Sequence, residues 1–306
     1  MAQAGSPRDP VFITGATGFI GRRVIAALAT AADRQIRCLV RASHSVGSGT
    51  TISVIRGDLD QPESYARALQ GTHTVLHLAA QTGKARRADH FTTNRDGTAT
   101  LLRLSREAGV ERFINVSSIA ATYEHKRAYH YADSKSQAEE LVRSSGLRFV
   151  NVRPTLVLGF RSPGGSGLLK VATLPLVPLF GDDSVRVQPI HVSDVAEFLV
   201  SALDEGRLDN HDVDLGGPEI LSMRELLARI RRAAKRGKAR FVRLPGFAAM
   251  GALALVEPLL GGLLPLSAGQ LSAFVNDSTV KATVPGVTPR VRYTLDEMIR
   301  DTVTDG

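Results

Sequence analysis

At 306 residues with 43% hydrophobic and 22% charged content, the chain is long enough to bury a sizeable core and is neither disordered nor fibrous. A single cysteine, Cys38, excludes an intrachain disulfide and a cysteine-rich metal site, and suits a reducing compartment. The net charge of +8 admits nucleic acid, an anionic membrane surface or a phosphorylated ligand as partners.

Residues 1–10 lack the apolar stretch of a signal segment, so they read as a flexible tail and a cytoplasmic location is the default expectation. Short β-rich apolar runs then alternate with helical patterns: Val11 to Thr14, Ile36 to Val40, Ile52 to Ile55, Thr74 to Leu78, Phe113 to Val116 and Phe149 to Val152. Their continuity, without polar alternation, is that of parallel strands covered on both faces. The expected fold is α/β, a Rossmann-type doubly wound parallel sheet with a smaller C-terminal α/β substrate-binding region.

The first strand runs into Thr14-Gly15-Ala16-Thr17-Gly18-Phe19-Ile20-Gly21 and then a helical pattern. Gly15 permits a tight turn, Gly18 lets main-chain amides approach a pyrophosphate, and Gly21 lets the helix pack on the strand. The motif predicts a dinucleotide cradle, with Thr17, Phe19 and Ile20 as further contacts. About 20 residues on, where an NAD site usually carries an acid for the ribose hydroxyls, stands Arg41. A guanidinium there matches a 2′-phosphate, with Arg22 near enough in sequence to help, so NADP(H) is favoured over NAD(H). Asp58, after the third strand, either accepts from the adenine amino group or simply forms the turn after Gly57.

His77, in an apolar strand, reads as a core histidine. Ser117 and Ser118 stand at the C-terminal end of the fifth strand, where parallel sheets bind ligands, and Ser118 is the residue expected to hold a substrate oxygen. Tyr131 and Lys135, four apart, share one face of a helix. A phenol of ordinary pKa, about 10, is a poor proton partner near neutrality, and the neighbouring Lys135 cation is expected to lower it. Ser118, Tyr131 and Lys135 are thus the candidate catalytic residues, and no metal site is expected.

After Arg153 the rhythm breaks at Pro163-Gly164-Gly165-Ser166-Gly167, which reads as a mobile cover; no serine-hydrolase elbow surrounds Ser166. A further strand is expected at Val185 to Ile190, and His191 beside it also reads as structural. Ser222 with Glu225 and Thr294 with Glu297 are capping boxes that mark two helix starts. Arg224 to Arg243 is rich in cations spaced along one helix face, and reads first as a solvated surface. The apolar run Phe247 to Leu266 is broken by Glu257, Pro258 and Pro265, which makes it a poor bilayer span and leaves a buried helix, a pocket lining or a shallow membrane contact.

Taken together, these motifs resemble the extended short-chain dehydrogenase/reductase superfamily, the NAD-dependent epimerase/dehydratase family. Beyond the glycine cradle, the likeness is carried by Gly57-Asp58-Leu59, His77-Leu78-Ala79-Ala80, Asn94 before Gly97-Thr98, Val116-Ser117-Ser118, Tyr131 with Lys135, Arg153-Pro154, His191 to Ala196, and Gly216-Gly217-Pro218-Glu219. It implies that Ser118, Tyr131 and Lys135 match the catalytic triad and that Lys135 also holds the nicotinamide ribose. It further implies that Ala79, Ala80 and Pro154 line the cofactor, and that Asp58 and Leu59 meet the adenine. The connection from Ser118 to Tyr131 is shorter than in the sugar-nucleotide enzymes. With Gln188-Pro189-Ile190-His191-Val192, it is more similar to the group related to the nucleotide-binding accessory subunit of respiratory complex I.

The functional expectation is an NAD(P)-dependent oxidoreductase moving a hydride between nicotinamide and a carbonyl or secondary alcohol of a hydrophobic or mixed substrate. The alternatives are an epimerase or dehydratase, sugar-nucleotide or other, and a redox-silent nucleotide-binding scaffold. The expected division is a dinucleotide-binding domain at 11–160 with 186–206 returning to it, and a substrate-binding region at 161–185 and 207–306. The expected partner is a small-molecule substrate without nucleic acid, since the basic stretch lacks interleaved aromatics. A weak membrane-surface contact and a homodimer stay open.

Overall fold

The computed structural model describes residues 8–304 apart from 31–33, 45, 47–50, 125, 127–128, 181–183 and 245–273, so the apolar run 247–266 lies outside the described residues. In chain order the first half contains β1 (Arg8–Thr14), α1 (Phe19–Ala29), β2 (Arg34–Val40), β3 (Ile52–Arg56), β4 (Thr74–His77), α2 (Arg87–Phe91), a π-helical turn (Thr92–Asp96), α3 (Gly97–Glu107), β5 (Arg112–Val116), α4 (His130–Arg143) and β6 (Arg148–Pro154). The second half contains β7 (Val157–Leu158), α5 (Pro163–Ala172), β8 (Val177–Phe180), β9 (Arg186–Val187), β10 (Ile190–His191), α6 (Val192–Ala202), β11 (His211–Leu215), β12 (Leu221–Ser222), α7 (Met223–Ala233), β13 (Phe241–Leu244) and α8 (Leu295–Val303).

Seven strands form one sheet in the order β11-β6-β5-β4-β1-β2-β3, with every pairing parallel. Alternation along β1 shows why its sequence is apolar throughout. Val11 and Ile13 join Val24 and Leu28 of α1 and Val195 and Leu199 of α6 on one face. Phe12 joins Leu101 of α3 and Val142 of α4 on the other. A strand enclosed on both faces has no place for a solvent-facing polar residue, so the doubly wound α/β architecture follows from the pattern. A separate apolar cluster gathers α5, α7 and α8 through Leu168, Leu226, Ile230 and Met298.

The observed elements depart from expectation in several places. His211–Leu215, in the C-terminal portion of the expected division, is the seventh strand and pairs residue for residue with Val150 to Pro154. Val185 to Ile190 is not one strand. Arg186–Val187 pairs antiparallel with β12, Ile190–His191 pairs parallel with β7, and Pro189, which has no amide hydrogen to donate, separates them. The glycine-rich 163–167 stretch is helical, because Pro163 opens α5 and the Ser162 hydroxyl accepts from the Gly165 amide at 3.0 Å. Thr294 and Glu297 form the full reciprocal capping box. Ser222 caps α7, but the Glu225 carboxylate turns to Arg229 instead of back to the helix start. Finally, α7 ends at Ala233, so only part of the basic stretch is helical. Arg231 is buried, donating to the carbonyls of Ala172 and Leu174 at the end of α5.

Candidate active site

The strand order reverses between β1 and β4, and a doubly wound sheet opens its binding crevice at the C-terminal ends of such strands. Gly15, at the end of β1, has φ +71°, and a Cβ there would lie 2.5 Å from the Ala79 amide nitrogen. A Cβ on Gly21 would stand 2.1 Å from the Gly15 carbonyl oxygen. Both positions therefore need glycine, one for its backbone conformation and the close pass of Ala79, the other for helix-to-turn contact. Gly18 is the N-cap of α1 and supplies no side chain, so the first amides of the helix stay available to an anion. These features fit a dinucleotide. Thr17, Phe19 and Ile20 lie in the same turn, and the Arg22 Nε donates to the Thr17 carbonyl at 2.8 Å, bracing it.

Around this cradle stand the other expected cofactor contacts. Arg41 is exposed just past β2. The Asp58 carboxylate accepts from the Leu59 amide at 2.7 Å, and Leu59 packs on Gly97 of α3. Ala79 and Ala80 follow β4, and Pro154 is buried at the end of β6.

Ser118 caps a short 3-10 turn, Ile119–Thr122, by accepting from the Ala120 amide at 3.2 Å. Tyr131 and Lys135 lie one turn apart on α4. The Ser118 hydroxyl lies near enough to the Tyr131 phenol to act on its titration, while Lys135 reaches the end of β5 and donates Nζ to the Val116 carbonyl at 2.9 Å. The Tyr131 ring is held by Tyr129 and His90, at centroid distances of 5.8 and 6.2 Å.

The electrostatics differ from expectation. Burial raises the Tyr131 phenol above its ordinary pKa, and the group that works against burial is the Ser118 hydroxyl, not Lys135. The ammonium points to a strand carbonyl, where burial pushes its own pKa down to about 8 against the opposing pull of Glu139. Ser117 is buried beside Ser118 with its hydroxyl lacking a partner.

One network joins residues that the sequence offers only singly. The Ala79 amide donates to Thr14 Oγ1, which lies 2.7 Å from His77 Nδ1; His77 Nε2 lies 2.9 Å from Thr98 Oγ1, which donates to the Asn94 carbonyl at 2.6 Å. Because the Thr98 hydroxyl hydrogen is committed, His77 Nε2 must donate and Nδ1 must accept, which fixes a neutral tautomer. Burial first, then the Lys135 charge, holds the His77 pKa down to about 3. The chain ends at Asn94, fully buried in the π-helical turn, whose amide donates to the Ser134 hydroxyl and the Gln81 carbonyl and accepts from the Gln81 amide. Ser134 donates in turn to the Tyr131 carbonyl, so the turn after β1 is wired to the helix carrying the phenol. A π-turn is the one signal of function here, and it is not visible in the sequence.

His191 is likewise structural. Its ring stacks on Tyr293 at 3.7 Å, Nε2 lies 3.2 Å from Asp301, and Nδ1 accepts from the Ser193 amide. Among the described residues no group of three or more metal-ligating side chains occurs, and no helix is long and apolar enough to cross a membrane. A cavity of about 560 Å³ between α6 and residues 286–292 shares no residue with the site.

The profile of the NAD(P)H-binding family matches residues 15–206. The ceramide reductase of Caulobacter vibrioides is 37% identical over 202 residues, 65% of this chain and 62% of that protein. Subunit 9 of the NADH dehydrogenase 1 alpha subcomplex of Dictyostelium discoideum is 26% identical over 222 residues, 70% of this chain and 61% of that protein. The chain thus spans less than two thirds of either relative's length. The crystal structure of UDP-glucose 4-epimerase from Thermotoga maritima, in complex with UDP-glucose, superposes with a TM-score of 0.71 at 21% identity, covering 97% of this chain and 98% of that one.

Proposed function

Because the chain belongs to the NAD(P)H-binding family and, through it, to the extended short-chain dehydrogenase/reductase superfamily, we propose that it reduces a carbonyl on a hydrophobic or mixed substrate at the expense of NADPH. The observation that carries this reading is the Ser118–Tyr131 hydroxyl pair at the end of β5, backed by a buried Lys135. The bound dihydronicotinamide supplies a hydride to the carbonyl carbon.

Every other part of the reaction belongs to the protein. Ser118 and Tyr131 both donate to the carbonyl oxygen and fix its position. As negative charge develops on that oxygen, the Tyr131 proton passes to it, giving a secondary alcohol and a phenolate that solvent reprotonates. Burial keeps the Tyr131 phenol protonated near neutrality, so its proton is in place for the reductive direction, and the nearby Lys135 cation has to offset the weaker acidity as charge develops. Lys135 stabilises the transient phenolate and, tied to Val116, binds the nicotinamide ribose.

The amides of the Gly15 to Gly21 turn, with Thr17, Phe19 and Ile20, hold the pyrophosphate, and Ala79, Ala80 and Pro154 flank the nicotinamide end. Asp58 and Leu59 meet the adenine, and Arg41 pairs with a 2′-phosphate, which supports the preference for NADP(H). The substrate is taken up by the C-terminal cluster around α5, α7 and α8. The name of the Caulobacter relative makes a carbonyl-bearing lipid of the ceramide class the first compound to assay. Purified protein oxidises NADPH with that lipid, and Tyr131→Phe loses turnover by a factor of about 10² to 10⁴ while binding NADPH as before. Equal turnover in the variant refutes the mechanism. The likeness to UDP-glucose 4-epimerase supports a second reading, in which the hydride returns to the same substrate. Nicotinamide that copurifies with the protein and survives dialysis distinguishes it.

A further inference from the structure

Several buried or half-buried arginines elsewhere in the molecule are held by carboxylates: Arg34 by Asp204, Arg112 by Asp209, Arg153 by Glu139 and Asp212. One stretch differs in composition. Residues 226–256 contain eight Lys or Arg and no Asp or Glu, which equals the whole net charge of +8, so the rest of the chain is neutral. Arg232, Lys235, Arg236, Lys238 and Arg240 are all exposed at the end of α7 and in the turn beyond it, and none has an ion-pair partner among the described residues. The turn is sharp, with Lys235 and Gly237 both at positive φ, which crowds the cations together instead of spreading them along a helix.

The crowding leads directly into an apolar edge. Among the described residues β13 pairs with β8 on one side only, and Val242 and Leu244 are 39% and 37% exposed. The sequence after Leu244 carries no charge until Glu257. Cations beside outward apolar side chains match an anionic headgroup layer over hydrocarbon. They suit a single-stranded nucleic acid less well, because its bases stack on open aromatic faces and this stretch offers none. Phe241 is the one ring between residues 226 and 244, and the Arg224 guanidinium covers it at 5.0 Å.

We propose that this face, from Arg232 through Leu244, docks the protein on an anionic phospholipid bilayer, with the five cations on the headgroups and Val242 and Leu244 at the acyl boundary. α7 and β13 belong to the cluster assigned above to substrate uptake, so docking would place that cluster against the lipid phase. The proposal stands without the redox assignment, because binding is read with no turnover.

The test is flotation of the full chain with vesicles of phosphatidylcholine alone or mixed with phosphatidylglycerol. Binding is expected only to the mixed vesicles, and should be lost at about 1 M salt, where screening is nearly complete. Each cation near an anionic leaflet adds about fivefold to partitioning, so Lys235→Gln, Arg236→Gln and Lys238→Gln combined should weaken it by about 100-fold. These side chains are exposed, and unchanged NADPH affinity and thermal midpoint confirm that the triple variant folds. Tyr131→Phe floats as the parent does, so failure of the catalytic reading leaves this result intact. Absence of binding, equal binding to neutral vesicles, an unchanged triple variant, or preference for RNA over the mixed vesicles overturns the proposal.

Discussion

Lys135 Nζ donates to the Val116 carbonyl at 2.9 Å, tying the helix that carries Tyr131 to the end of the strand that leads into Ser118. The bond orients the ammonium, but burial still disfavours its charge, and the two effects set its titration.

With its pKa pushed down to about 8, Lys135 is charged below that pH and neutral above it. Its ordinary value is near 10.4, so the charge destabilises the folded state, by about 3 kcal/mol, at pH below 8, and the fold is relieved as pH rises from 8 toward 10.4. Turnover that needs the cation should therefore fall above pH 8, although the fold becomes more stable there. Lys135→Met should lose activity at every pH without a lower thermal midpoint at pH 7. A marked drop in that midpoint contradicts the account.

His77 behaves in the opposite pH range. Its folded pKa of about 3 lies below the unfolded value of about 6.5, so its contribution is complete above pH 6.5 and is lost as pH falls toward 3. Stability should decline by about 1.4 kcal/mol per pH unit across that window. Unfolding scans of His77→Asn should show a flatter acid limb than the parent, from a lower starting stability at pH 7.

Arg153 donates to both Glu139 oxygens and to Asp212, and lies 3.7 Å from Asp214, all within the protein. Burial works against its charge, but the three carboxylates hold its pKa above the ordinary value. Arg153→Met removes the cation that bridges all three, leaving Arg143 to hold Glu139 and Asp212, and should cost about 3 kcal/mol in denaturant unfolding. Arg153→Lys should recover little of this, since an ammonium cannot reproduce the fork to Glu139.

Arg41 sets the cofactor preference in the proposed reading. Arg41→Asp should raise the NADPH Kd by about tenfold or more, the effect of losing one charge-assisted pair, and leave the NADH Kd within about twofold. Calorimetry with both dinucleotides decides it, and parallel losses would remove Arg41 from 2′-phosphate recognition.

Period and spacing made the sheet legible in the sequence, because strands covered on both faces cannot hide their composition and a glycine cradle leaves its residues in plain order. β11 was less so. His211-Asp212-Val213-Asp214-Leu215 alternates polar and apolar, since Asp212 pairs with Arg143 and Arg153 and Asp214 accepts from the amides of Lys281 and Ala282. Proline and glycine at 163–167 read as loop because propensity says nothing of the Ser162 cap or of what Leu168 and Val171 bury. The candidate trio Ser118, Tyr131 and Lys135 stood out by its spacing, but the sign of the Tyr131 shift did not. Burial and the aim of the Lys135 ammonium decide that sign, and both are products of tertiary structure.

The π-turn at Thr92–Asp96 holds one residue more than regular winding needs. Deleting a single residue there would let the segment rewind as an ordinary α-helical turn, with the flanking residues keeping their facing but the widened turn that places Asn94 lost. Asn94 would then leave Gln81 and Ser134 behind while α3 kept its seat on the sheet. Length in this short segment is thus under tighter constraint than residue identity, and insertions or deletions harmless in a surface loop would here disconnect the cradle from the helix bearing the phenol.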